Sequence, residues 1–108
     1  MKLLREKYIK YMEVLGNQER MKILELLSKK EMSVQEINGH FYASQPTISY
    51  HLSLLKSIGF ISSRKSGKYM YYSFETVKAK DYLKKFVSDF AFSMDRIRTD
   101  TSAPRHRA

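Results

Sequence analysis

Gln45, Ser49, Tyr50, Ser53 and Ser57 place an amide, three hydroxyls and a phenol on one arc of a helix, with Pro46 and Lys56 beside them. This is hydrogen-bonding equipment with a single charge. A face meant only for water would be rich in Glu and Lys. A face that enters a major groove and touches base edges needs short neutral donors and acceptors instead. The opposite arc carries Ile48, His51, Leu52, Leu54, Leu55 and Ile58, and is apolar apart from one imidazole. His51 on that arc reads as a packed or backbone-bonded histidine rather than a ligand. Thr47 lies between the polar positions and is expected to turn toward the apolar side.

The elements that hold this arc are signalled nearby. Ser44 can cap the helix, Pro46 falls in its first turn, and Gly59 can supply the left-handed residue that stops it. Upstream, Ser33 and Glu36 have capping-box spacing and open a short helix running to His40 or Phe41. Phe41, Tyr42 and Ala43 then make the turn into Ser44, which is a helix-turn-helix arrangement. Downstream, Phe60 to Lys65 and Lys68 to Phe74 are extended runs separated by Ser66-Gly67, a hairpin signal. The hairpin carries Arg64, Lys65, Lys68 and Tyr69, so it reads as a wing that reaches flanking phosphates.

Two further helices precede this unit. Leu4, Tyr8, Tyr11, Met12 and Leu15 recur at helical spacing over residues 3 to 15. Gly16 ends that helix, Asn17 can cap the next, and a second helix is expected from Gln18 to about Lys29. A final helix runs from Thr76 to Ile97, about 33 Å at 1.5 Å per residue. Its stripe of Leu83, Phe86, Val87, Phe90, Met94 and Ile97 exceeds what a small core can cover. A symmetric dimer packing through the first and last helices would cover it, with Leu4, Tyr8 and that stripe as the dimerisation set. The expected organisation is a winged helix-turn-helix domain over residues 1 to 98, mainly α with a small β-hairpin and about five helices. A flexible basic tail follows over residues 99 to 108.

The blocks Leu15 to Leu27, Ser44 to Ile61 and Arg64 to Ser73, in that order, resemble the ArsR/SmtB family of winged-helix bacterial repressors. The resemblance implies a homodimer that binds an inverted-repeat, double-stranded DNA operator and represses transcription. Carried over by position, its DNA-reading face falls on Gln45, Pro46, Ser49 and Tyr50. Ser44, Thr47, Lys56, Arg64, Lys65, Lys68 and Tyr69 make up the expected phosphate and wing contacts. Many members of that family sense metals through cysteines, or through His and Asp on the last helix. This chain has no cysteine, and its last helix has Asp81, Asp89 and Asp95 but no histidine. No metal and no cofactor is expected, and an effector, protein or small molecule, is not identified.

Composition narrows the classes. The 108 residues carry 20 Lys and Arg against 11 Asp and Glu, a net charge of +9, which favours a polyanionic partner. The basic residues are spread over the fold rather than along one amphipathic helix, which argues against a membrane surface. No run approaches the roughly 20 apolar residues of a membrane span, and the first residues lack a signal core, so a cytoplasmic location is expected. An enzyme lacks its parts: there is no Gly-rich phosphate loop, no His-Glu-x-x-His and no nucleophile set. The alternative of another class is a winged helix that binds protein through Tyr69, Tyr71 and Tyr72. The charge argues against it.

Overall fold

The computed structural model describes the backbone of residues 2–100 and the side chains of residues 5–92. Eight elements follow in order: α1 (Lys2–Leu15), α2 (Gln18–Leu27), β1 (Met32–Ser33), α3 (Val34–Asn38), α4 (Gln45–Ser57), β2 (Ile61–Ser66), β3 (Tyr69–Phe74) and α5 (Thr76–Asp100). The five helices and small antiparallel sheet match the expected winged helix-turn-helix class.

Local signals set most boundaries. Asn17 accepts the Arg20 N–H at 2.9 Å and starts α2. Ser33 accepts the Glu36 N–H at 3.1 Å while Glu36 accepts the Ser33 N–H at 2.8 Å, so the capping box is complete. Helix α4 ends in a Schellman motif: Phe60 N–H reaches the Leu55 carbonyl, Gly59 N–H reaches that of Lys56, and Gly59 takes φ +81°.

Four expectations are corrected. Met32 and Ser33 form a strand that pairs with Tyr72 and Tyr71, so the hairpin is part of a three-stranded sheet ordered β1-β3-β2. Two residues are too few for an alternating pattern to show. Helix α3 stops at Asn38, because Gly39 takes the C-cap, and α2 stops at Leu27 with Ser28 as its C-cap. Helix α5 continues through Thr99 and Asp100, which the sequence assigns to the tail. Residues 101–108 of that tail lie outside the described residues.

The core sits where α2, α3, α4 and the sheet converge. Ile23, Ile37, Ile48, Leu52 and Leu55 are fully buried there, each contributing about 1.5–3 kcal/mol relative to exposure. A second, aromatic layer joins α1 to α5: Tyr8 lies edge-on to Phe86 at 5.0 Å, and Tyr11 stacks on Tyr82 at 4.3 Å. Tyr8, assigned by the sequence to a dimer surface, is only 4% exposed within the single chain. Its hydroxyl donates to Asp89 at 2.6 Å, so it belongs to the chain's own core.

Candidate nucleic-acid interface

Helix α4 turns its two arcs as the helical wheel requires. Ile48, His51, Leu52, Leu55 and Ile58 are buried. Gln45, Pro46, Ser49, Tyr50, Ser53 and Lys56 are exposed, with Tyr50 at 59%. Thr47 is exposed as well, which corrects its expected inward turn. At the third helical position its hydroxyl lies 3.1 Å from that of Ser44, and its N–H donates to the Ser44 oxygen, so the cap draws it outward. The tip of the helix therefore offers four exposed polar or small side chains in succession, Ser44 to Thr47. The helix dipole favours a phosphate at the same place, although the Ser44 cap, the Ser44 carbonyl and Pro46 leave only the Gln45 N–H of the first turn to meet it.

Three side chains, Asn38, Lys22 and His51, tie the turn and α4 to the helices beneath. Asn38 of α3 donates to the Ala43 carbonyl at 3.3 Å, closing the turn. Lys22 of α2 donates to the His40 carbonyl at 3.0 Å and covers the Phe41 ring. His51 is bonded through side chains rather than backbone: Nε2 lies 2.9 Å from Glu19 and Nδ1 lies 3.0 Å from Arg20. Tyr42 between these ties is fully exposed, a feature with no periodic signal in sequence.

The wing stands beside α4. Lys56 donates to Ser63 at 2.7 Å and so joins helix to wing. Gly67 takes φ +63° at the tip, and Lys65, Lys68 and Tyr69 are exposed around it, with the Lys68 ammonium 5.6 Å from the Tyr69 ring. Arg64 differs from these lysines. Its Nε and a terminal nitrogen donate to the two oxygens of Glu31 at 2.8 and 2.7 Å, over the Tyr71 ring. The carboxylate beside it holds the guanidinium pKa above its ordinary value, and Arg64 in turn holds that of Glu31 below its own. The sequence places Glu31 only in a charged connector; strand β1 is what brings it to the wing.

On the far side, α5 has two faces. Ala79, Tyr82 and Phe86 pack on the core, whereas Leu83, Val87 and Phe90 are 47%, 62% and 43% exposed. An apolar groove of about 1000 Å³ adjoins them, lined by Met12, Leu15, Met21, Leu24, Phe74 and Leu83 among others. The side chains of Leu4, Met94 and Ile97, also assigned to dimerisation, lie outside the described residues. Among the described residues no helix is long and apolar enough to cross a membrane.

Residues 17–63 match the family model described as "Bacterial regulatory protein, arsR family". The chain is 42% identical over 62 residues to the transcriptional repressor SdpR of Bacillus subtilis, covering 57% of this chain and 69% of that protein. It is 36% identical over 83 residues to an uncharacterized HTH-type transcriptional regulator of Methanocaldococcus jannaschii, covering 73% of this chain and 93% of the other. Among solved structures it resembles one described as a "possible transcriptional regulator for arsenical resistance". That likeness has a TM-score of 0.66 and 29% identity, and covers 85% of this chain and 96% of the other.

Proposed function

Because the chain belongs to the arsR family of bacterial regulatory proteins, we propose that it is a homodimeric repressor acting on an inverted-repeat operator in the cytoplasm. Membership makes it a DNA-binding transcriptional regulator and not an enzyme. The finer reading rests chiefly on one observation: the exposed first turns of α4 carry neutral hydrogen-bonding groups, and the lysines stand at its end, Lys56, and on the wing beside it, Lys65 and Lys68. That separation matches a division between base reading and backbone holding.

In this reading two α4 helices of one dimer enter major grooves about one turn apart, roughly 34 Å. Gln45 and Ser49 bond base edges, Tyr50 packs on a thymine methyl or bonds a phosphate, and Pro46 shapes the tip. Ser44, Thr47, Lys56, Lys65 and Lys68 hold phosphates, with Tyr69 alongside. Repression follows from occupying the promoter, with no bond made or broken. The exposed stripe of Leu83, Val87 and Phe90 supports a second copy as the partner.

The test is binding to the DNA upstream of its own gene and to a scrambled duplex, each across a salt series. The reading expects much tighter binding to the former, with one dimer per site. Equal, steeply salt-dependent binding to both would remove the operator from that DNA. No binding to either at low salt would overturn the reading.

A further inference from the structure

We infer that Glu31 sets the overall strength of DNA binding: it occupies Arg64 and thereby keeps the wing from holding every duplex, operator or not, more tightly. The inference rests on the DNA-binding reading above. Glu31 immediately precedes β1, and the sheet order β1-β3-β2 lets its carboxylate reach across β3 to Arg64 on β2. The two guanidinium nitrogens it takes, at 2.8 and 2.7 Å, form the fork that would otherwise meet a phosphate in two-pronged fashion. Ser73 on β3 donates to the same carboxylate at 3.0 Å, which holds it in place. The Tyr71 ring covers one face of the guanidinium at 5.1 Å.

The pair lies at the surface, where the Arg64 and Glu31 side chains are 58% and 32% exposed. It is therefore open to solvent and to a polyanion. Lys65 and Lys68 have no carboxylate partner among the described residues. The wing thus presents two free cations and one that is neutralised. Affinity for any duplex grows with each phosphate neutralised, independently of sequence. In a chain of net charge +9, one more free cation strengthens the operator complex and every competing complex alike. Less of the protein is then left free, while the ratio of operator to competing affinity stays the same.

The experiment compares wild type, Glu31→Gln, Arg64→Ala, the Glu31→Gln/Arg64→Ala double variant and Lys68→Ala. Each is titrated with a random-sequence duplex and with the DNA upstream of its own gene, across a salt series. Glu31→Gln is expected to bind the random duplex about three- to ten-fold tighter, with a salt slope steeper by about 0.9. Arg64→Ala, which leaves a bare carboxylate, should bind more weakly. The double variant should return to within about two-fold of wild type. If Glu31 instead aims Arg64 at DNA, Glu31→Gln binds more weakly and the double variant matches Arg64→Ala, which overturns the inference. Unchanged affinity and slope in Glu31→Gln overturn it too. When Lys68→Ala lowers the slope as expected, such a failure concerns Glu31 alone. A wild type that binds neither duplex overturns the DNA reading itself.

Discussion

The Nδ1 atom of His51 lies 3.0 Å from a guanidinium nitrogen of Arg20. A guanidinium only donates, so Nδ1 accepts, and the ring proton sits on Nε2, which donates to Glu19 at 2.9 Å. Arg20 also bonds the Val14 and Glu13 carbonyls at the end of α1. One residue of α2 therefore ties the end of α1 to the middle of α4. Replacing His51 by Phe keeps an aromatic ring but leaves Arg20 and Glu19 without their partner. We expect a loss of about 1–3 kcal/mol, read as a lower urea midpoint with an unchanged m-value. Operator binding should fall more than random-duplex binding, because the pose of the reading helix depends on this tie.

Asp89 joins the long α5 to α1. The Tyr8 hydroxyl first, and the Lys7 ammonium second, hold the Asp89 carboxyl below its ordinary value of 3.8. The ionised form is thus favoured by the fold, and its contribution is complete above that ordinary value. It is lost as pH falls through the depressed folded value. Asp89→Asn should therefore lower the melting temperature most near neutral pH, and the gap from wild type should close as the solution becomes strongly acid. A gap independent of pH would mean that Asp89 acts by packing alone. Tyr8→Phe should narrow the same gap, since it removes the larger cause.

What the sequence made legible follows from which forces are local. Caps, the glycine stop of α4 and its two arcs depend on residues within one or two turns, and Asn17, Ser33, Ser44 and Gly59 all act as their spacing requires. Strand β1 was hidden because its partners Tyr71 and Tyr72 lie some forty residues away, and pairing rather than pattern defines it. A separation of 33 residues likewise conceals the Glu31–Arg64 pair. The sequence assigns Tyr8 to the dimerisation set because the opposing wall, Tyr82 and Phe86, comes from α5, more than seventy residues away. A helical stripe says that a face is covered, and tertiary packing decides by what.

Base reading and phosphate holding separate in a salt titration. Gln45→Ala should cost about 1–3 kcal/mol at one base pair of the operator, while leaving random-duplex affinity and the salt slope near wild type. Lys68→Ala should weaken binding to every duplex alike and lower the slope by about 1. Competition binding against single-base operator variants separates the two. If both substitutions gave one specificity profile, the α4 face and the wing would not divide the work in this way.

The exposed stripe on α5 predicts the oligomeric state. Val87 and Leu83 are 62% and 47% exposed in the single chain, so a charge there leaves the folded protomer's own contacts largely intact. A stable dimer needs about 800 Å² of surface from each partner, so the stripe would be the centre of the interface and neighbouring surface would complete it. Wild type should sediment as a dimer. Val87→Glu should move toward the monomer at equal concentration, with its helical circular dichroism retained. Operator affinity should fall steeply in the same variant, because two half-sites then have to be engaged by independent binding events. Tyr82→Ala, which opens the buried aromatic layer instead, should lower thermal stability whatever the concentration. A Val87→Glu variant that remains dimeric would move the interface away from α5.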